Sequence, residues 1–483
     1  MSDELAALDA TAQAELVRRG EASPAELVDA AIARIEAIDP DLNAVIHTAF
    51  DRACEEAAGE LPDGPFRGVP FLLKDLGMGF AGDPLHMGMR VLKEADFRAP
   101  VDTTLALRFR AAGLVTVGKT NTPELGIVPT TEPVAYGSTR NPWDPSRSAG
   151  GSSGGAGAAG AAGLVPFAHA SDGGGSIRIP ASHNGLVGLK TTRARTTAGP
   201  LAGDFASGLS EHFAITRSVR DAAALLDAVH GPSPGDPYAA PPVERPFVEE
   251  LGADAGGLRI ALLKTSATEA DPDPEAIEAV TAAAELLAEL GHSVEELDVA
   301  AMGIPAELPG SFIKRWAAGM AQTVRLVGRV VGRPLTADDV EPLTWALANR
   351  GEALSGAEYL EAVGLHQLVG RTVGAMFASG TDLVLSPTVG EEPPSLDSFD
   401  DTGPDPFAAL KRSERPAMFT SIWNTLGLPA ISVPLHWTAA GLPLGTQLAA
   451  AAGGEGLLLR VAAQLEEARP WSDRRPEVFA SRS

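Results

Sequence analysis

The chain has 483 residues, 45% of them hydrophobic, and a formal charge of -25 from 38 Lys plus Arg against 63 Asp plus Glu. That length and apolar content suit a globular chain built around one large catalytic domain rather than a string of small ones. The charge opposes phosphate backbones and anionic lipid surfaces and no basic cluster reverses it locally, so neither nucleic acid nor membrane is an expected partner.

In chain order, the opening MSDELAALDA has neither the basic region nor the apolar core of a secretory signal, and the sole cysteine, Cys54, has no intrachain partner. A cytoplasmic address is expected. The first 60 residues read as helices: Ser23-Pro24-Ala25-Glu26 sets a capping serine, an N1 proline and a reaching glutamate ahead of a periodic run to about Ile38. The apolar run Gly68 to Asp75 then reads as a buried strand with Lys74 at its C-terminal end, where ligands gather in α/β sheets.

Residues 101–112 read as a helix and 114–117 as an interior strand. The charge-free stretch 148–171 is too rich in Gly, Ala and Ser to be a membrane span, and resolves into a small-residue helix from Gly155 to about Ala162 and a strand from Leu164 to Ala170. A helix follows at 218–231, a proline-rich surface loop at 232–246, a strand at 259–263 and an amphipathic helix at 273–290. Strands are expected late in the chain at 381–385, 431–434 and 444–448. Residues 300–375, with Trp316, Trp345 and Tyr359, read as helical and irregular; a peripheral helical layer is expected, with a cap over the site as the alternative. Alternating helices and strands give an α/β fold class.

Three short patterns point elsewhere and fail on context. Gly113 to Thr120 satisfies the phosphate-loop pattern GxxxxGK[ST], but its variable positions are strand residues and Asn121-Thr122-Pro123 follows where a helix should open. Gly155 to Gly160 matches the dinucleotide fingerprint GxGxxG without a preceding strand or a later acidic residue to hold a ribose. Gly150 to Gly154 fits the nucleophile elbow GxSxG, yet the proline-broken segment before it is no strand, and none of His212, His230, His292, His366 or His436 stands in a distinctive loop.

What remains is a serine in Gly150-Gly151-Ser152-Ser153-Gly154-Gly155, a second in Asp172-Gly173-Gly174-Gly175-Ser176-Ile177-Arg178, and Lys74 upstream. Backbone stripped of side chains beside a hydroxyl suits acyl transfer, which needs a nucleophile and free N–H groups aimed at a developing oxyanion. Taken singly, Lys74 reads as a surface lysine, Ser152 as a loop residue and the glycines as a tight turn; their joint occurrence favours an amide hydrolase.

The run Gly150 to Pro180, together with Gly68 to Asp75, Gly118 to Glu124, Gly427 to Ala430 and Gly441 to Gly445 in that order, resembles the amidase signature family over most of the chain. The resemblance implies one amidase domain over 1–483, with N-terminal helices at 1–60, a catalytic core at 68–200 and a helical variable region at 300–375, around a mixed twisted central β-sheet covered by α-helices. It implies a Ser-cisSer-Lys triad: Ser176 as acylated nucleophile, Ser152 as bridging serine after a cis peptide, and Lys74 as base. It also implies an oxyanion hole from the backbone N–H groups of Gly173, Gly174, Gly175 and Ser176, with Asp172 and Arg178 holding the loop by ion pairing. Neither metal nor cofactor is implied; a small-molecule amide substrate and a homodimer are.

A lysine of pKa near 10.4 is a poor base at neutral pH, so that role requires burial to bring it down by about 3 pH units. The end of an apolar strand supplies such burial. Segments 9–17, 139–143 and 332–336 are similar to the aminohexanoate cyclic dimer hydrolases, the nylon-oligomer amidases. Some of those carry a cysteine in the helical region from about residue 310, where this chain has none. A general amidase is therefore expected first, with cyclic or linear aminohexanoate-type amides as the narrower expectation. The alternatives are the amidotransferase subunit of a tRNA-dependent complex and a non-catalytic binding relative.

Overall fold

Ser23 accepts from the Glu26 backbone N–H while the Glu26 carboxylate takes the Ser23 N–H, and this capping box starts the helix Pro24–Leu42. The helix ends at Asn43, whose left-handed φ of 54° turns the chain into a short strand, Val45–Thr48 (β1). That strand corrects the all-helical reading of the first 60 residues; four residues between two helices leave too short a pattern to recognise. The structure is a computed structural model that describes residues 2–268, 270–400 and 402–480.

β1 edges an eleven-stranded sheet. Pro70–Lys74 (β2) and Val115–Thr120 (β3) are buried at every position and run parallel to each other inside it. The phosphate-loop pattern is thus mostly strand. A separate two-stranded ribbon, Arg140–Asn141 (β4) and Asp144–Ser148 (β5), leads into the helix Gly154–Ala161, every residue of which is buried. Its glycines are packing residues: a Cβ on Gly155 would sit 2.6 Å from the Asn121 backbone nitrogen, and one on Gly157 would sit 2.7 Å from Asn184 Nδ2.

The sheet continues with Phe167–Asp172 (β6), Val187–Lys190 (β7), Glu211–Thr216 (β8), Arg259–Leu262 (β9), Ser293–Glu296 (β10), Leu383–Pro387 (β11), Ala430–Trp437 (β12) and Pro443–Ala450 (β13). Their order is β1-β3-β2-β6-β8-β7-β12-β13-β11-β9-β10, with parallel and antiparallel neighbours interleaved. The fold is therefore α/β with one large mixed sheet, and the main apolar core lies between that sheet and its helices. Strands β7, β8 and β10 are additions to the strands expected from the sequence.

Residues 300–375 form three helices, Leu308–Val330, Pro342–Glu352 and Gly356–Ala378. The first is more than a peripheral layer: Phe312, Ile313 and Trp316 wall a cavity of about 550 Å³. Among the described residues no helix is long and apolar enough to cross a membrane.

Candidate active site

Lys74 closes β2 with its side chain wholly inside the protein. Its Nζ lies 2.7 Å from Ser152 Oγ, 2.9 Å from Ser153 Oγ and 3.0 Å from Ser171 Oγ. Ser153 gives its own hydroxyl proton to the Ser171 carbonyl at 3.2 Å, so toward Lys74 it accepts. Lys74 Nζ thus donates into a ring of three hydroxyls, and on losing a proton it would keep two of those N–H donors and turn a lone pair to the third. Burial pushes the Lys74 ammonium down to about 7, against the opposing pull of the Asp172 carboxylate.

The Gly151–Ser152 peptide is cis, and a Cβ on Gly151 would lie 2.2 Å from the Thr130 carbonyl oxygen, so only glycine fits ahead of the serine. The sole hydrogen-bond partner of Ser152 Oγ among the described residues is Lys74, which leaves no histidine to serve a nucleophile elbow.

The glycine loop after β6 is organised by one carboxylate. Asp172 accepts from the Gly175 N–H at 2.7 Å and the Ile177 N–H at 3.1 Å, and pairs with Arg178 through Nε and Nη2, each at 2.9 Å. Arg178 and its neighbours hold that carboxyl well below the usual range despite complete burial. The remaining Arg178 donors reach Thr420 O at 3.0 Å, Gln447 Oε1 at 2.7 Å and Asn424 Oδ1 at 2.6 Å. Asn424 in turn donates to the Asp172 carbonyl at 2.8 Å and the Leu209 carbonyl at 3.1 Å. The loop is thus tied to the helix Ser421–Leu426.

This arrangement divides the four expected oxyanion donors. The N–H groups of Gly173, Gly174 and Ser176 have no acceptor among the described residues, whereas that of Gly175 is committed to Asp172. Gly175 therefore shapes the loop, with φ of 138° and Thr420 Oγ1 only 2.4 Å from where a Cβ would stand.

Ser176 and Gly174 line a cavity of about 550 Å³, within the roughly 300–1,000 Å³ of small-molecule sites. Its walls are largely apolar: Ile127, Val128 and Pro129 on one side, Phe312, Ile313 and Trp316 from the helix Leu308–Val330, and Met418, Phe419, Ile422 and Trp423 from the C-terminal part. Gly126 also lines it, and a Cβ there would come 3.1 Å from Ser152 Oγ, which sets that hydroxyl just behind the cavity wall. No hydrogen bond joins Ser152 to Ser176 among the described residues.

Of the residues singled out in the sequence, Lys74 and Ser152 meet directly, Ser176 opens onto the cavity beside them, and Asp172 and Arg178 form the expected buried pair. Ser153, Ser171, Asn424 and Thr420 escaped sequence reasoning. Ser153 and Ser171 lay inside the quoted segments, but only the fold shows that they face Lys74. Cys54 is exposed on the helix Phe50–Ala58, away from the cavity-lining residues.

The amidase family profile matches residues 26–459. The 6-aminohexanoate-cyclic-dimer hydrolase of Paenarthrobacter ureafaciens is 43% identical across 98% of this chain and 97% of its own. The acylamidase of Rhodococcus erythropolis is 36% identical across 97% of each chain. A solved 6-aminohexanoate cyclic dimer hydrolase structure superposes with a TM-score of 0.93 at 42% identity, covering 98% of this chain and 99% of that one. Together with the buried lysine–serine cluster and the glycine loop, these likenesses establish that the chain belongs to the amidase signature family of amide-bond hydrolases.

Proposed function

We propose that the chain cleaves carboxamides through an acyl-enzyme on Ser176, with Lys74 as base and Ser152 as the bridge between them. The observation that carries this reading is the fully buried Lys74 amine 2.7 Å from Ser152 Oγ, immediately behind a cavity that Ser176 lines.

Ser176 Oγ attacks the substrate carbonyl carbon as its proton passes to Ser152 Oγ and the Ser152 proton passes to Lys74 Nζ. The oxyanion draws on the free N–H groups of Gly173, Gly174 and Ser176. On collapse the C–N bond breaks, and the departing nitrogen takes the proton back along the same relay. Water then attacks the ester as its proton follows the relay inward, and on collapse the relay returns that proton to Ser176 Oγ as the C–Oγ bond breaks and the carboxylic acid leaves. The Ser152-to-Ser176 step requires the two hydroxyls to come within hydrogen-bond reach once substrate fills the cavity.

The substrate class follows from the walls and the relatives. An apolar cavity suits an amide flanked by methylene chains, and full-length likeness to a 6-aminohexanoate-cyclic-dimer hydrolase supports aminohexanoate-type amides, the cyclic dimer among them. Purified protein incubated with that cyclic dimer, and separately with simple aliphatic and aryl acylamides, is expected to release amine from at least one, with an acyl adduct on Ser176 in acid-quenched samples. Full turnover by Ser176→Ala would overturn the reading.

A further inference from the structure

Strands β2 and β6 run parallel but share a single register pair, Leu72 with Ala168. Beyond it they separate, although both continue to the residues that matter: Lys74 at the end of β2, Ser171 and Asp172 at the end of β6. On its other side β2 stays paired with β3, past a register shift between Phe71 and Leu72, as far as Lys74 and Thr120. The Lys74 backbone N–H faces the widening gap, where a strand carbonyl would ordinarily accept it. The acceptor is instead an imidazole: His169 Nδ1, at 3.1 Å.

An Nδ1 that accepts must be unprotonated, so the His169 proton sits on Nε2. That nitrogen lies 3.1 Å from His212 Nδ1, which then accepts in turn. The register places Ser171 opposite His212 and His169 opposite Ala214. His169, Ser171 and His212 therefore share one face of the sheet, and Lys74 Nζ reaches the Ser171 hydroxyl at the open end of the gap. The two rings stack at 5.3 Å and 18°, Phe205 packs on His212 at 4.2 Å, and Phe109 lies 5.8 Å from His169. Both histidines are buried, at 0% and 4% exposure.

We propose that His169, fixed in one tautomer by His212, is the positioning residue for Lys74, holding the splayed end of β2 so that Nζ stands among Ser152, Ser153 and Ser171. The inference rests on Lys74 being the base. An imidazole reaches across a gap that a backbone carbonyl does not, so the strands can part to admit the lysine side chain without orphaning a buried N–H. The charged and titratable groups around it are Lys74 on β2, Lys119 on β3, Asp172 on β6 and His212 on β8. Burial, with the nearby lysines, holds both histidines well below their ordinary range, so the pair stays neutral where the lysine titrates.

Two polar replacements separate the contacts. In His169→Asn the side-chain oxygen can stand near the position of Nδ1 and accept the Lys74 N–H; in His169→Gln the amide reaches toward His212 and that acceptor is lost. For His169→Gln, kcat is expected to fall at least about tenfold with KM changed less than about threefold, and the acid limb of kcat/KM to move to higher pH as the amine loosens toward water. His169→Asn is expected to keep kcat within about threefold and the acid limb in place. Equal impairment of the two folded variants, or a His169→Gln indistinguishable from the parent, would overturn the inference.

¹⁵N-histidine NMR of the unaltered protein provides a reading independent of folding in the variants. It should show a buried histidine protonated on Nε2 that does not titrate near neutral pH; a protonated Nδ1 on His169 would equally end the proposal. Lys74→Met separates the two levels. Turnover retained there removes the base reading itself, whereas an inactive Lys74→Met beside a normal His169→Gln removes the positioning role alone.

Discussion

Arg178 Nε stands 2.9 Å from Asp172 Oδ2, and neither side chain has any solvent exposure. The pair links the end of β6 to the helix Arg178–Asn184 and brackets the glycine loop. Removing one partner would strand the other as a buried, uncompensated charge. Arg178→Met should therefore cost about 3–5 kcal/mol in urea unfolding and abolish amidase activity with it, because Asp172 also holds the Gly175 and Ile177 N–H groups.

Ser176→Ala removes one hydroxyl from a cavity wall without touching the hydrogen bonds that hold the loop. Unfolding free energy should stay within about 0.5 kcal/mol of the parent while kcat falls by at least about a thousandfold. Steady-state kinetics and the loss of labelling by a serine-directed probe check both halves.

The pH dependence follows from Lys74. Only the neutral amine can take a proton, so kcat/KM should rise with pH through a midpoint near the value of about 7 set by burial. Stability has its own sign. The folded pKa lies below the ordinary value of 10.5, so from about 7 to 10.5 the unfolded chain binds more protons than the folded one, and this group makes stability rise with pH across that window. Lys74→Met should remove that rise in denaturation curves taken at successive pH values.

His212 and His183, both held down to about 3 by burial, act on the acid side. Their stabilising contribution is present above the ordinary histidine value of 6.5 and is lost as pH falls from there toward 3. A melting temperature that declines over this range, less steeply in His183→Gln, is the expected observation.

Phe312 and Trp316 reach the site from the helix Leu308–Val330, and Trp316 Cη2 lies 2.7 Å from where a Cβ on Gly173 would stand. Gly173→Ala should therefore lower kcat by forcing the indole or the loop aside. Phe312→Ala, which only opens the wall, should raise KM with a smaller effect on kcat. The two opposite kinetic patterns are read from saturation curves on the same amide.

Much of the candidate site is legible in local sequence alone. Chemistry that needs exposed N–H groups, a backbone passing within contact distance of Thr130, and a φ of 138° at Gly175 permits only small residues, and that requirement is written locally as glycine and serine. Lys74 was legible for a similar reason: an apolar run ending in a lysine places the amine at a strand end. The strands with strong apolar runs followed the same rule, while β1, β7 and β10, of four residues each, are too short to announce themselves.

Composition and local pattern thus determined the fold class, the lysine and the two serines, because each rests on what a few consecutive residues can or cannot do. Tertiary structure alone decided that Gly175 spends its N–H on Asp172, that Asn424 reaches back across 252 positions to hold Asp172, that Phe312 and Trp316 wall the cavity, and that His169 accepts the Lys74 N–H. Those contacts depend on sheet register and helix docking between distant segments, and hydrogen bonds formed by such approach leave no mark in either segment by itself.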